Sequence, residues 1–167
     1  MIDGQGRSID YLRISVTDRC NLRCVYCMPP EGVEWMPHDD MLSYEEIIRL
    51  CTLFARRGIR KVRLTGGEPL ARKGLAQLVA GIKAIDGIES IAMTTNGIAL
   101  ADQLPDLLAA GLTAVNVSLD TLDRAQYAAI TRRDKLPQAL EGLHAALAAP
   151  GLRVKLNCVP MGDNDEQ

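Results

Sequence analysis

With 167 residues and a formal net charge of -2, the chain has no global basic field to draw it to nucleic acid or to an anionic membrane. Apolar residues make up 47%, ample for a packed core, so residues 1–167 are expected to form one domain or part of a larger one. No apolar run reaches the roughly 18 residues of a membrane span, and the opening Met-Ile-Asp-Gly-Gln-Gly-Arg lacks a signal-peptide core, so a cytoplasmic, reducing environment is expected.

In chain order, strand and helix signals alternate. Tyr11 to Val16 reads as a strand that runs straight into a cysteine-rich stretch. After a connection containing Pro29, Pro30 and Pro37, a helix starts at Ser43, whose Ser-x-x-Glu spacing to Glu46 is a capping box. Ile47, Cys51 and Phe54 give that helix an apolar stripe, and Gly58 is suited to its end. Lys61 to Thr65 is the next strand, ending in Gly66-Gly67-Glu68-Pro69. A second helix carries Leu75, Leu78, Val79, Ile82 and Ile85 before Gly87. Ile91 to Thr95 is a strand closed by Asn96-Gly97, and a third helix with Leu104, Leu107 and Leu108 stops at Gly111. Thr113 to Leu119 is a strand, Arg124 to Ile130 a short helix, Pro137 to Ala148 a longer one, and Arg153 to Val159 a fifth strand. Such alternation predicts an α/β fold with a parallel sheet and right-handed crossovers.

The strands alternate where doubly buried parallel strands would read as continuous apolar runs. One face carries Leu12/Ile14/Val16, Val62/Leu64, Ile91/Met93, Val115/Val117/Leu119 and Val154/Leu156/Cys158. The other carries Tyr11/Arg13/Ser15, Lys61/Arg63/Thr65, Ala92/Thr94/Asn96, Asn116/Ser118/Asp120 and Arg153/Lys155/Asn157. If the sheet curls into a full or partial (β/α) barrel, the second set lines the interior. Burying unpaired cations costs several kcal/mol each, so a wall with Arg13, Arg63 and Lys155 implies an anionic guest, a polyphosphate above all, or access for water.

Cys20, Cys24 and Cys27 fall at CxxxCxxC spacing within Val16 to Met28, with Tyr26 just before the last. A loop with that spacing can turn three thiolates toward one centre, and clustered cysteines without an export signal favour a metal site over disulfides. Zinc or a complete Cys₄ cluster needs a fourth ligand. Cys51 and Cys158 sit on predicted apolar faces and are expected to be small buried hydrophobes, while the two histidines, His38 and His144, lie in a loop and in an Ala- and Leu-rich helix. Three thiolates on a four-iron cube would leave one iron open for chemistry.

The CxxxCxxC motif resembles the cluster loop of the radical S-adenosylmethionine (SAM) superfamily. The stretches Leu12-Arg13-Ile14-Ser15-Val16-Thr17-Asp18-Arg19-Cys20, Cys27-Met28-Pro29, Arg63-Leu64-Thr65-Gly66-Gly67-Glu68-Pro69-Leu70, Thr94-Thr95-Asn96-Gly97 and Asn116-Val117-Ser118-Leu119-Asp120 resemble the N-terminal half of the GTP 3',8-cyclase family of molybdenum cofactor biosynthesis. That resemblance implies a partial barrel of about five parallel strands with helices outside, ending before a sixth strand. It implies that Cys20, Cys24 and Cys27 hold a SAM-cleaving [4Fe-4S] cluster, that Tyr26, Gly66, Gly67, Glu68 and Ser118 bind SAM, with Glu68 an acceptor for its ammonium, and that Arg13, Arg63, Thr94 and Lys155 contact GTP. The implied activity is that of a lyase: a 5'-deoxyadenosyl radical takes a ribose hydrogen from GTP, and the carbon radical closes on C8 of guanine to give (8S)-3',8-cyclo-7,8-dihydroguanosine 5'-triphosphate. A reducing electron donor, a downstream cyclic pyranopterin monophosphate synthase and a homodimer are the implied partners.

The family's C-terminal half carries cysteines for a second [4Fe-4S] cluster and a Gly-Gly tail, and this sequence stops at Asn164-Asp165-Glu166-Gln167, so a fragment with an open edge at the fifth strand is expected. Another radical SAM reaction, such as peptide modification, and a silent cluster or zinc carrier are the alternatives. The basic run Arg56, Arg57, Arg60 and Lys61 reads as a helix end favouring cations, Trp35 and Met36 as loop residues beside the cysteines, and Asp163 to Glu166 as a solvated end.

Overall fold

The computed structural model describes residues 2–37 and 40–161, so His38 and the Asp163 to Glu166 run lie outside the described residues. Five strands, β1 (Tyr11–Ser15), β2 (Lys61–Thr65), β3 (Ser90–Thr95), β4 (Ala114–Ser118) and β5 (Arg153–Asn157), form one all-parallel sheet in the order of the chain. Helices α1 (Tyr44–Ala55), α2 (Leu75–Lys83) and α3 (Leu100–Ala109) fill the first three crossovers; α4 (Arg124–Thr131) and α5 (Leu136–Ala148) share the last. A sheet whose strand order never reverses has no switch point in its middle, which is the topology of a barrel wall.

The expected two faces are present. Val62, Leu64, Ile91, Met93, Val115 and Val117 are buried with Ile47, Leu78, Ile82, Leu107 and Leu143 from the helices in one core. Their area removed from water stabilises the fold at roughly 25 cal/mol per Å². The α1 capping box is complete: Glu46 N–H donates to Ser43 Oγ at 3.2 Å, and Ser43 N–H to Glu46 Oε2 at 2.7 Å. In α1 the buried stripe is Ile47, Cys51 and Ala55, at i, i+4 and i+8, so the expected Phe54 turns outward and is 36% exposed.

The fifth strand departs further. It ends at Asn157, Leu156 is 52% exposed and Cys158 is exposed, against the expectation that both are buried. As an edge strand β5 has a neighbour on one side only among the described residues. Val154 of this strand packs against the core, whereas Leu156 and Cys158 lie beyond it.

Parallel register sets the opposite face in rungs. Arg13 pairs with Arg63 and Arg63 with Ala92, while Ala114 pairs with both Ala92 and Arg153. Thr94 pairs with Asn116 and Asn116 with Lys155, one rung nearer the C-terminal ends. Arg13, Arg63, Thr94 and Lys155 thus share one side of the sheet.

Candidate functional site

Tight contacts at the C-terminal ends of β1 to β4 hold the cysteine loop. Gly67 N–H donates to the Thr17 carbonyl and Glu68 N–H to the Arg19 carbonyl, both at 2.7 Å. A Cβ on Gly67 would overlap the Arg19 and Asp18 carbonyl oxygens, and one on Gly66, at φ 145°, the Thr17 carbonyl oxygen. The glycine pair therefore lets two backbones meet edge to edge.

Glu68 faces inward. It is 2% exposed, and its carboxylate accepts from Thr95 Oγ1 at 2.7 Å, Asn96 N–H at 2.8 Å and Leu70 N–H at 3.0 Å. Burial pushes its carboxyl pKa up, and those three donors pull it back. In this arrangement the side chain ties the end of β2 to the end of β3. From there Asn96 Nδ2 donates to Asn21 Oδ1 at 2.7 Å, inside the cysteine loop.

On the far side, Tyr26 Oη donates to Asp120 Oδ2 at 2.6 Å, and Asp120 Oδ1 accepts from Val159 N–H at 3.0 Å. Burial and the acceptor Asp120 raise the Tyr26 phenol pKa. Arg23 and Val25 N–H donate to the Thr131 and Ile130 carbonyls at the end of α4, at 3.0 and 2.9 Å. Trp35 lies in cation–π range of Arg19 and Arg23, each 5.6 Å from the ring centre. Met36 is half exposed.

The three thiols are electrostatic neighbours. Burial, then Cys27 and Cys20, push Cys24 up to about 11, and burial leads the same upward shift at Cys20 and Cys27. Leu22 N–H points at Cys20 Sγ at 3.4 Å, a donor for a thiolate. Tyr127 Oη is buried and without a partner among the described residues, and burial followed by the charges of Cys24 and Asp120 raises its pKa. No three Cys, His, Asp or Glu among the described residues converge tightly enough for a single metal ion, and His144 is exposed on α5. Three thiols of one loop, coupled to one another and with the Leu22 N–H on Cys20 Sγ, are the kind of donor set that an iron-sulfur group takes.

Below the loop, the polar face of the sheet is open. A groove of about 340 Å³ is lined by Tyr11, Lys61, Arg63, Arg153 and Lys155 among others, with Ala92 and Ala114 as a floor of small side chains. Arg63 Nη1 donates to Thr94 Oγ1 and Arg13 Nε to Thr65 Oγ1, each at 3.4 Å. Arg13 and Thr94 stand on the same face outside the groove wall, and Ser118 is half-buried at the end of β4. Arg13 and Lys155 are exposed and Arg63 half-buried, so these cations keep water access. Of the other residues that hold the loop, Asp120 falls on the polar face given by strand alternation, whereas Asn21 and Arg132 carry no local signal.

A parallel strand-order sheet with a three-cysteine loop after its first strand defines a class. The radical SAM superfamily model matches residues 14–167, and the chain belongs to that superfamily. Within it, the chain is 52% identical over 168 residues to the GTP 3',8-cyclase of Petrotoga mobilis, covering 100% of this chain and 52% of that protein. It is 49% identical to molybdenum cofactor biosynthesis protein 1 of Bos taurus, covering 26% of it. The chain thus spans about half the length, or less, of the curated relatives it matches. Among solved structures, anSMEcpe with bound AdoMet superposes at TM-score 0.70 and 14% identity, over 89% of this chain and 41% of that one. Methylornithine synthase (PylB) does so at 0.70 and 19%, over 89% and 44%, which shows the shared fold. No helix among the described residues is long and apolar enough to cross a membrane.

Proposed function

We propose that this chain is the cluster- and nucleotide-binding core of a GTP 3',8-cyclase, acting at the first step of molybdenum cofactor biosynthesis. The observation that carries the reading is the set of cations, Arg13, Arg63 and Lys155, on the one open face of a sheet whose upper rim holds the three thiols. Cys20, Cys24 and Cys27 would hold a [4Fe-4S] cluster. Such a cluster, together with SAM, would supply a 5'-deoxyadenosyl radical.

The chain's own residues bind and orient. Arg63 and Lys155 neutralise a triphosphate, with Arg13 beside them on the same face, and Arg63 is held toward Thr94. Gly66 and Gly67 seat the loop after β1, so their part in SAM binding runs through the shape of that loop, as does that of Glu68. Tyr26 and Ser118 flank the rim where SAM would lie. Holding two ligands against each other supplies proximity, and the helix-backed sheet supplies rigidity. A reducing donor, a second cluster site beyond this chain, a homodimer, and transfer of the product to cyclic pyranopterin monophosphate synthase in the cytoplasm belong to the same proposal.

Anaerobic reconstitution with iron and sulfide tests it. Uptake of about four irons per chain, 5'-deoxyadenosine released from SAM under reduction, and calorimetric binding of GTP that is lost in Arg63→Ala support the proposal. A colourless protein carrying zinc, or GTP binding indifferent to Arg63 and Lys155, would reject it.

A further inference from the structure

Among the described residues Arg132 is the one residue other than glycine in the left-handed backbone region, at φ 56°. That region is disfavoured for any side chain with a Cβ, and a residue held there signals a constraint from its surroundings. Arg132 caps the C-terminus of α4 and sends its guanidinium back across the cysteine loop. Its Nη1 donates to the Arg23 carbonyl and to the Met28 carbonyl, each at 2.9 Å. Those carbonyls belong to the residues immediately before Cys24 and immediately after Cys27. The Arg23 and Val25 N–H groups meanwhile donate to the last carbonyls of α4. One helix end thus grips the Cys24 to Cys27 segment through backbone and side chain together.

Resting on the reading of Cys20, Cys24 and Cys27 as cluster ligands, we infer that Arg132 is a positioning residue for that site. Its guanidinium pins both ends of the segment that presents Cys24 and Cys27, so that the thiols keep the spacing an iron-sulfur cluster requires. Groups that orient metal ligands without touching the metal hold the ligands' geometry in this way.

Arg132→Gly removes the side chain and leaves a residue at ease in the left-handed region. Wild-type protein, Arg132→Gly, Arg132→Lys and Arg133→Ala are reconstituted with iron and sulfide, moved into a chelator, and followed by visible absorption and iron content. Arg132→Gly is expected to lose iron about ten- to a hundredfold faster than wild type, with Arg132→Lys between them. Arg133, whose Nη1 donates to the Arg132 carbonyl, serves as the neighbouring control, and its Ala variant is expected to match wild type. Iron-free Arg132→Gly is expected to melt somewhat below wild type, because relief of the left-handed strain offsets only part of the loss of two hydrogen bonds from a charged donor. Equal rates of iron loss in wild type and Arg132→Gly would overturn the inference. So would an iron-free Arg132→Gly that is already unfolded at the assay temperature, since the residue would then serve the fold alone. If wild type itself takes up no iron, the fault lies in the ligand reading beneath the inference, which falls with it.

Discussion

Tyr26 Oη donates a hydrogen bond to Asp120 across 94 residues of sequence, at 2.6 Å, and this bond joins the cysteine loop to the segments that follow β4 and β5. A hydrogen bond to a carboxylate contributes roughly 1.5–3 kcal/mol, less where one partner is partly wet, as Tyr26 is. Tyr26→Phe is therefore expected to cost about 1–2 kcal/mol in urea denaturation and to speed amide exchange at Cys27 and Met28. Asp120→Ala loses the Val159 contact as well and is expected to cost more. Unchanged exchange in both would mean that the loop does not depend on this tie.

Gly67→Ala drives a methyl into the Arg19 and Asp18 carbonyls. Neither backbone can retreat, because Gly67 and Glu68 donate into the same stretch. The expected cost is about 1–3 kcal/mol or more, read as a lower urea midpoint. A variant as stable as wild type would show that the loop yields freely.

Glu68→Gln keeps the shape and replaces an acceptor oxygen by an NH₂ group that meets donors. With Thr95 Oγ1, Asn96 N–H and Leu70 N–H all donating, one buried donor is left facing another. A loss of about 1–3 kcal/mol follows from leaving one buried group unmatched, checked by thermal and urea unfolding. Were Gln neutral, the carboxylate would be serving something other than this network.

Neutralising the sheet's cations separates binding from folding. Arg63→Ala and Lys155→Ala are each expected to weaken GTP binding about ten- to a hundredfold, the value of one charged hydrogen bond, with little change in melting temperature because both side chains reach water. Isothermal calorimetry on triphosphate against nucleoside reads the difference directly.

Cys51 gives a pH signature. Burial raises its thiol from 9.0 to about 11, so the unfolded chain ionises first. Its contribution to stability is whole below pH 9 and disappears as the pH climbs to about 11. Wild type is expected to lose more stability than Cys51→Ala between about pH 8 and pH 10.5, measured by urea titration at each pH.

Much of the architecture was legible because it is periodic. Alternation along each strand puts Arg13, Arg63 and Lys155 on one side, and the Ser43 to Glu46 spacing marks the start of α1. What stayed hidden depends on partners distant in sequence. The bond between Glu68 and Thr95 joins residues 27 positions apart. Cys158 and Leu156 alternate like core residues, yet their strand is the sheet's last, so neither is covered. Phe54 and Ala55 both suit a helical stripe, and only the angle at which α1 crosses the sheet chooses between them. Arg132 drew no expectation, because neither its left-handed backbone nor its two carbonyl partners leaves a mark in the local sequence.

Docking of the thiol loop on the end of α4 also bears on the order of events during synthesis. Cys20, Cys24 and Cys27 leave the ribosome early, but the carbonyls and the guanidinium that shape their seat arrive more than a hundred residues later. Iron delivered to the nascent chain would meet an unformed pocket. If the three thiols hold the cluster proposed for them, the polypeptide would have to close on itself before the inorganic partner could be installed.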